Sequence, residues 1–252
     1  MQLHYKQTGQ GPHLILIHGL FGSFENLNVI ARPLSESFTV TAIDLRNHGH
    51  SEHSEHMSYT IMCQDIIDLM DQLSIDSAIF IGHSMGGKVA MQVALNTPKK
   101  VSKLVVLDIA PVNYEPRHDD VFKGLNAVNN THISSRQDAD TILTEFIVES
   151  GVRQFLLKSL IKSDTGFEWR FNLSILQSNY TDILAAPAGK PYLGKALFIK
   201  GSNSQYITEN MRETFLSLFP NCKAKVIHGT GHWLHAEKPA AVNKSISDFI
   251  SD

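Results

Sequence analysis

The sequence has few cysteines, no long hydrophobic run and no strong excess of charge of either sign. Two cysteines, Cys63 and Cys222, among 252 residues are too few for a disulfide-stabilised scaffold and indicate a reducing compartment. No apolar run approaches the ~18 residues that a membrane span requires, and the first residues lack the apolar segment of a secretion signal. We therefore expect a cytoplasmic protein that does not associate with membranes.

The charge balance is close to even. The chain contains 22 Lys and Arg residues against 25 Asp and Glu residues, which gives a net charge of −3. This balance argues against nucleic acid and anionic membranes as partners, because both attract strongly basic surfaces. Hydrophobic residues make up 42% of the chain, enough for a full core, so we expect a folded protein whose partner is a small molecule. The sequence leaves its oligomeric state open.

Short apolar runs alternate with helical patterns along most of the chain. The six runs cover residues 14–17, 38–43, 78–81, 104–107, 196–199 and 224–227. They are continuous rather than alternating, which is typical of strands covered on both faces. Apolar residues recur with helical spacing over 62–73, 85–96 and 242–250. This order predicts an α/β protein with a mostly parallel sheet and helices on both faces.

The stretch 112–194 breaks this alternation and has no convincing buried strand. Its helical patterns cover residues 122–128, 139–149 and 154–160. A stretch of about 80 residues between two strands is far too long for a simple loop. We therefore predict a helical cap, or lid, over 112–194, inserted into a core that is formed by 1–111 and 195–252.

A G-x-S-x-G motif, Gly82-His83-Ser84-Met85-Gly86, directly follows the apolar run at 78–81 and directly precedes a helical pattern. This strand–turn–helix setting is the one that a nucleophile elbow needs. Side chains at the two glycine positions would clash in so sharp a turn. The turn would project Ser84 Oγ above the sheet edge, close to a helix N-terminus that favours negative charge. We predict that Ser84 is a nucleophile and that the motif is not a chance match.

The chain resembles the α/β-hydrolases over essentially its whole length. The segment 18–22 is similar to their oxyanion loop, and 44–51 is similar to the turn after their fourth strand. In finer detail, the segments 108–112, 168–172 and 201–204 together resemble the YbfF-type bacterial esterases. The resemblance implies an eight-stranded, mostly parallel sheet and the hydrolysis of short acyl esters and acyl-CoA thioesters.

His232 is the candidate general base for Ser84 among 13 histidines. It follows the last apolar run and so returns to the sheet edge that carries the serine. His228, His232 and His235 could instead be metal ligands, but their spacing requires a helix that the intervening glycines disfavour. The histidines at positions 48, 50, 53 and 56 lack zinc-type spacing, and we interpret them as part of a solvated loop.

The third group of the site is the acid that orients the base. Most members of the superfamily place an aspartate in the loop that here reads Gly-Ser-Asn-Ser at 201–204. Asp108 lies one strand earlier, and the rise of the preceding helix and strand brings it level with Ser84. Asp108 is therefore the predicted acid, while the alternative is that Asp108 caps a strand and Asn203 or Ser204 orients the base.

Together these residues predict a serine esterase or thioesterase that forms an acyl-enzyme. The backbone N–H groups of Leu20 and Met85 would stabilise the oxyanion. Phe21 and Trp233 follow the oxyanion residue and the base, so we expect both to line the substrate pocket. This chemistry requires no metal and no organic cofactor.

The predicted cap offers further candidates for the pocket. Its apolar candidates, which could equally be packing residues, are Phe122, Leu125, Phe155, Leu156 and Trp169. Arg170 could bind a substrate carboxylate or phosphate, or it could pair with Glu168 or another cap carboxylate.

The alternatives to an esterase fall into two classes. A C–C bond hydrolase, a lyase or an acyltransferase can share the same scaffold and triad, because the pocket decides the chemistry. A non-catalytic ligand-binding receptor could keep the fold alone, although the presence of both Ser84 and His232 favours an enzyme.

Overall fold

A mixed seven-stranded sheet forms the centre of the molecule. The computed structural model describes residues 1–164 and 166–251. The strands of the sheet are β1 (Tyr5–Thr8), β2 (His13–Ile17), β3 (Thr39–Ile43), β4 (Ala78–His83), β5 (Val101–Leu107), β8 (Ala196–Gly201) and β9 (Cys222–Ile227). A separate hairpin between β5 and β8 consists of β6 (Leu160–Ser163) and β7 (Gly166–Trp169). The order across the sheet is β1-β3-β2-β4-β5-β8-β9. Among the described strands of this sheet, only β1 is antiparallel to its neighbour.

The predicted α/β architecture with a mostly parallel sheet is confirmed, but the expected count of eight strands is wrong, since the described sheet has seven. All six apolar runs fall in strands of the sheet. The remaining strand of the sheet, β1, was not predicted from the sequence. It lies at the edge of the sheet and half of its residues are exposed, so it has no apolar run. Within the described residues the sheet ends at β1 on one side and at β9 on the other.

Helices cover both faces of the sheet. They are α1 (Asn28–Leu34), α2 (Tyr59–Gln72), α3 (Met85–Asn96), α4 (Asp119–Asn129), α5 (Arg136–Thr144), α6 (Ser150–Leu157), α7 (Leu173–Ser178), α8 (Tyr180–Leu184), α9 (Arg212–Leu218), α10 (Leu234–Glu237) and α11 (Pro239–Ser251). Short 3-10 turns occupy Phe24–Leu27, Pro98–Lys100 and Glu209–Met211. Within the two described ranges, no helix has the length and apolar character needed to cross a bilayer.

Two hydrophobic cores lie on opposite faces of the sheet. Successive residues of a strand point to opposite faces, so that Ile15 enters one core and Leu16 the other. The apolar stripes of α2 and α3 pack into the first core, and those of α1 and α11 pack into the second. Burial on both faces explains why the central strands read as continuous apolar runs.

The chain between β5 and β8 contains helices α4 to α8 and the β6–β7 hairpin. The sequence analysis found no strand here, because a two-stranded hairpin with half-exposed residues leaves no apolar run. Two predicted helices also end earlier than expected, since α5 ends at Thr144 and α6 ends at Leu157, before β6 begins. The N–H of Tyr114 donates to the carbonyl of Leu184 at 3.0 Å, so the two ends of this stretch lie side by side.

Candidate active site

Ser84 lies in the turn between β4 and α3, at the carboxyl edge of the sheet. Its φ of 53° is in the left-handed region that few non-glycine residues adopt. The turn depends on close backbone contacts at both neighbouring glycines. A Cβ at Gly82 would lie 2.2 Å from the carbonyl oxygen of Gly86, and a Cβ at Gly86 would lie 2.3 Å from that of Ile17. These contacts explain why the motif requires glycine at both positions.

His232 meets Ser84 from the other end of the chain. It lies in the turn between β9 and α10, and its Nε2 is 3.0 Å from Ser84 Oγ. Its Nδ1 is 2.8 Å from Asp108 Oδ2. Because a carboxylate only accepts, Nδ1 carries the proton in this arrangement and Nε2 accepts the serine hydroxyl. The three side chains therefore form one continuous line of hydrogen bonds.

Asp108 follows β5 and is completely buried. Its Oδ1 accepts the N–H of Gly201 at 3.0 Å, and its Oδ2 accepts the hydroxyl of Ser204 as well as His232. The alternative partners of the base thus occupy other positions: Ser204 contacts the carboxylate, and Asn203 Oδ1 accepts the hydroxyl of Ser202 at 3.0 Å. Like Ser84, Asp108 has a positive φ, of 52°.

The loop after β2 lies against the serine. A Cβ at Gly19 would lie 3.2 Å from Ser84 Cβ, and the N–H of Gly22 closes a turn onto the carbonyl of Gly19 at 3.1 Å. Leu20 lies inside this turn, next to the serine. Met85 is the first residue of α3, where a helix has no internal acceptor for the N–H group. The two predicted oxyanion donors are thus both adjacent to Ser84.

His48 supports this loop, and its predicted place in a solvated stretch is wrong. It is fully buried, whereas the histidines at positions 50, 53 and 56 are exposed. Its Nε2 accepts the N–H of Phe21 at 3.2 Å, and its Nδ1 donates to the carbonyl of Arg46 at 2.9 Å. Burial lowers the pKa of His48 to about 3, so the ring is neutral and can act as this acceptor.

A second buried histidine, His18, ties the same loop to the chain after β3. Its Nδ1 donates to the carbonyl of Gly19 at 2.7 Å, and its Nε2 accepts the N–H of Leu45 at 3.1 Å. Burial also lowers the pKa of His18. Two neutral imidazoles therefore hold the loop that carries Leu20.

Three aromatic rings surround the imidazole of His232. Tyr206 stacks on it with centroids 3.9 Å apart and an angle of 20° between the planes. His83, the residue before Ser84, donates from Nε2 to the carbonyl of His232 at 2.9 Å and contacts its ring. Burial lowers the pKa of His83 well below its usual value, which keeps this ring neutral. Trp233 packs edge-on against His232 at 5.5 Å.

Two cavities meet at Ser84, and Leu20, His118 and Tyr206 also border both. The smaller one, which we name the inner compartment, has an empty volume of about 360 Å³. It is further lined by Tyr59, Met85, Lys88, Ile109, Tyr114, Arg117, Tyr180, Ile183 and Leu184. The larger one, the outer compartment, has an empty volume of about 640 Å³. It is further lined by Gly19, Phe21, His83, Val121, Val152, Phe155, Leu156, His232 and Trp233.

The structure divides the apolar residues proposed for the pocket into two groups. Phe21, Trp233, Phe155 and Leu156 line the outer compartment. The other three are packing residues. The Phe122 ring meets the Phe21 ring at 5.5 Å, and Trp169 donates from its indole N–H to the carbonyl of Leu125 at 3.1 Å.

Arg170 pairs with neither of the partners considered from the sequence. Its guanidinium lies 3.3 Å from the carboxylate of Glu25, in the 3-10 turn before α1. The ion pair therefore links the chain between β5 and β8 to the turn before α1.

Lys88 lies one turn beyond Ser84 on α3 and is almost fully buried. The sequence analysis did not single it out. Its ammonium group donates to the carbonyls of Val112, Leu184 and Ala185 at 2.8, 2.8 and 2.6 Å. The sequence signal for this role is a single lysine in a mostly apolar helix, since a buried cation needs acceptors.

Arg117 and His118 on the approach to α4 were also missed. The Arg117 guanidinium lies over the rings of Tyr114 and Tyr206, 4.9 and 4.6 Å from their centroids. His118 Nδ1 is 2.5 Å from the hydroxyl of Tyr180. Burial lowers the pKa of His118 to about 4, so a neutral imidazole faces the serine. No local motif marks either residue in the sequence.

The histidines considered as metal ligands do not form one site. His228 is exposed, while His232 contacts Asp108 and His235 packs against His83. Within residues 1–164 and 166–251, no group of three or more His, Cys, Asp or Glu side chains is arranged to hold a metal ion.

Comparison with known proteins gives a consistent picture. The family described as "alpha/beta hydrolase fold" matches residues 12–140. Esterase YbfF of Escherichia coli is 43% identical over 251 residues, which cover 98% of this chain and 97% of that protein. The sn-1-specific diacylglycerol lipase ABHD11 of Xenopus tropicalis is 38% identical over 98% of this chain and 80% of its own. A solved marine microorganism esterase superposes with a TM-score of 0.95 at 35% identity, covering 98% of this chain and 99% of its own.

Proposed function

This chain belongs to the α/β-hydrolase family, as a YbfF-type esterase, and from that membership we propose that it cleaves carboxylic esters or acyl thioesters through a Ser84–His232–Asp108 triad. The observation that carries the proposal is the line of contacts from Ser84 Oγ to His232 at 3.0 Å and from His232 to Asp108 at 2.8 Å. The substrate is a small molecule that reaches Ser84 through the two compartments.

In the first half of the reaction, Ser84 Oγ attacks the substrate carbonyl carbon while His232 Nε2 takes the hydroxyl proton. The N–H groups of Leu20 and Met85 stabilise the resulting oxyanion, and each such donor is typically worth roughly 10²–10³ in rate. Asp108 holds the imidazole in the correct tautomer and stabilises its charged form without accepting the proton. His232 then gives its proton to the leaving alcohol or thiol, and the acyl group remains on Ser84.

In the second half, water replaces the leaving group. His232 removes a proton from the water as its oxygen attacks the acyl carbon, and then returns that proton to Ser84 Oγ as the ester bond to the enzyme breaks. The product is a carboxylic acid, and the enzyme returns to its starting state. His232 therefore mediates every proton transfer of this cycle.

Replacing the nucleophile tests the proposal directly. Ser84→Ala should lower kcat for p-nitrophenyl acetate by at least about 10⁴, because no hydroxyl remains to form the acyl-enzyme. Ser217→Ala removes an exposed hydroxyl on α9 and should leave the rate unchanged. Full activity in Ser84→Ala would refute the scheme.

Two further measurements separate the alternative functions. A fluorophosphonate probe should label the native protein at Ser84, and absence of the label would favour a binding protein over an enzyme. Product analysis with panels of p-nitrophenyl esters and acyl-CoAs should give a free acid with an alcohol or thiol. Turnover of vinylogous diketones instead of esters would indicate a C–C bond hydrolase.

A further inference from the structure

We propose that Ser159, in the chain between β5 and β8, is a positioning residue for the reaction. Its buried hydroxyl holds the carbonyl of Phe21 and thereby fixes the strained turn that presents the N–H of Leu20 to the oxyanion. This inference rests on the function proposed above, in which Leu20 supplies one of the two oxyanion donors. It is carried by the conformation of Phe21 and by the side chains that hold its backbone on both sides.

Phe21 occupies a turn position that glycine usually takes. The N–H of Gly22 donates to the carbonyl of Gly19 at 3.1 Å. Leu20 and Phe21 are therefore the two central residues of a β-turn. Phe21 has a φ of 63°, and a positive φ at the second central residue is what a type II turn requires, which is why glycine is preferred there. A bulky residue is strained in this region and stays there only when the surrounding structure holds it.

Two buried side chains hold the peptide groups on either side of Phe21. His48 Nε2 accepts the N–H of Phe21 at 3.2 Å, and the Ser159 hydroxyl donates to the carbonyl of Phe21 at 2.8 Å. Ser159 is only 4% exposed, so this hydrogen bond is shielded from water. Relaxation of Phe21 to a negative φ would rotate its two peptide groups relative to each other, and both hydrogen bonds could not then be kept. The two bonds therefore favour the strained conformation over the relaxed one.

Ser159 is itself held by the β6–β7 hairpin. It lies between α6 and β6, and its carbonyl accepts the N–H of Arg170, the residue after β7, at 2.8 Å. The ring of Phe21 also packs against the chain between β5 and β8, with centroids 5.1 Å from Phe171 and 5.5 Å from Phe122. This inserted chain therefore holds both the backbone and the ring of one residue of the oxyanion loop.

The loop after β3 is held in the same way. Asn47 also has a φ of 63°, and its carbonyl accepts the N–H of Asn172, again from the inserted chain, at 2.9 Å. His48 directly follows Asn47, so this contact supports the imidazole that accepts the N–H of Phe21. The inserted chain thus fixes Phe21 directly through Ser159 and indirectly through His48.

The position of this turn matters most in the transition state. The substrate carbonyl oxygen gains its negative charge only as Ser84 attacks, and the donors must be in place at that moment. A misplacement of about 1 Å in an active site can cost about 10²-fold in rate. Loss of the Ser159 hydroxyl should therefore slow the chemical step and leave the binding of the substrate unchanged.

Ser159→Ala removes this hydroxyl and tests the role. We expect kcat for p-nitrophenyl acetate to fall by about tenfold to 10²-fold, with KM unchanged. A trifluoromethyl ketone gives a second readout. Ser84 Oγ adds to its carbonyl carbon while His232 takes the hydroxyl proton, which leaves an oxyanion on the bound inhibitor. Its Ki should rise by the same factor as kcat falls, because the inhibitor resembles the transition state.

Ser178→Ala is the matched control. Its exposed hydroxyl lies on α7 of the same inserted chain and donates to the carbonyl of Ile175 at 3.1 Å. Its loss should change neither kcat nor Ki. Ser159→Cys keeps nearly the size of serine but has only a weak S–H donor, so it should show a smaller loss of the same kind. If Ser159→Ala does not fold, Ser159→Cys provides the comparison.

A native kcat and Ki in Ser159→Ala would overturn the inference. A loss confined to KM would overturn it too, because Ser159 would then act on substrate binding. Failure of the proposed function has a different signature. In that case the native protein does not hydrolyse p-nitrophenyl acetate and Ser84 is not labelled by a fluorophosphonate.

Discussion

The two carboxylate oxygens of Asp108 accept three hydrogen bonds between them. Oδ2 accepts His232 Nδ1–H and the hydroxyl of Ser204, while Oδ1 accepts the backbone N–H of Gly201. The contacts with Gly201 and Ser204 therefore fix the orientation of the carboxylate independently of the imidazole. Because Asp108 is fully buried, its charge also acts on the imidazolium with little screening by water.

Asp108→Asn should lower kcat by on the order of 10⁴, as the same change does in other triads. The amide retains the volume but lacks the negative charge and favours the wrong tautomer of His232. Steady-state kinetics with p-nitrophenyl acetate measure the effect. Ser204→Ala should be the milder change, because Ser204 contacts the carboxylate and not the ring. A greater loss in Ser204→Ala would assign the orienting role to that loop instead.

At the scale of elements, α3 connects the serine with the segment inserted between β5 and β8. The ammonium of Lys88 binds three backbone carbonyls, one at the beginning of that segment, Val112, and two near its end, Leu184 and Ala185. The Lys88 side chain thus holds the beginning and the end of this segment next to α3, the helix that begins after Ser84. Within the segment itself, α4 packs on α5, α5 packs on α6, and β6 pairs with β7.

Lys88→Met should destabilise the fold by about 2 kcal/mol or more, because the half-buried carbonyls of Val112 and Ala185 lose this donor while that of Leu184 keeps the N–H of Tyr114, and each lost partner costs about 1–3 kcal/mol. Urea unfolding at pH 7 measures the change in the free energy of unfolding. Limited proteolysis should then cut earliest within 112–194. Lys123→Met on α4 is the control, since Lys123 is exposed and pairs with Asp120 at the surface. Equal stability of both variants would contradict the role given to Lys88.

The sequence predicted those helices and strands whose own residue pattern matches the way they are buried in the folded protein. The strand β4 and the helix α3 are apolar, and both are buried on the faces that their patterns indicate. The β6–β7 hairpin was missed because its residues are half-exposed and its stability comes from pairing. Tyr206 and His118 were missed for another reason. They reach Ser84 only through the tertiary fold, and no spacing along the chain marks them.

For the whole molecule, the most important electrostatic feature is a set of buried neutral histidines. The pKa values of five histidines are lowered, with burial as the largest cause: His18, His48, His83, His118 and His235. Those of His48 and His235 fall to about 3 and that of His118 to about 4. In the unfolded chain each would titrate near its ordinary value of about 6.5.

The free energy of unfolding should therefore fall as the pH decreases below about 6.5. Between the folded and unfolded pKa values the unfolded state binds more protons, so stability decreases with falling pH, by up to about 1.4 kcal/mol per pH unit for each histidine. Above pH 6.5 this contribution is fully present. Urea unfolding at about pH 7.5, 6 and 5 measures how steeply the free energy of unfolding depends on pH. These values extend from about one unit above the unfolded pKa to about 1.5 units below it.

A pair of histidine variants identifies the source of this slope. His48→Gln keeps a hydrogen-bond acceptor near Phe21 but removes one titrating group, so it should make the slope shallower by up to one proton. His53→Gln alters an exposed histidine and should leave the slope unchanged. A slope that is the same in both variants would mean that His48 does not contribute to acid sensitivity.

Ser84 and Asp108 both adopt backbone conformations that glycine would occupy without penalty. A residue held in such a region costs of order 1–3 kcal/mol. These two positions therefore carry a conformational cost, and both belong to the triad proposed above. We expect Ser84→Gly to melt at a higher temperature than Ser84→Ala, with both inactive. Selection for stability alone would thus favour glycine at position 84, where the proposed nucleophile retains its hydroxyl at a conformational cost.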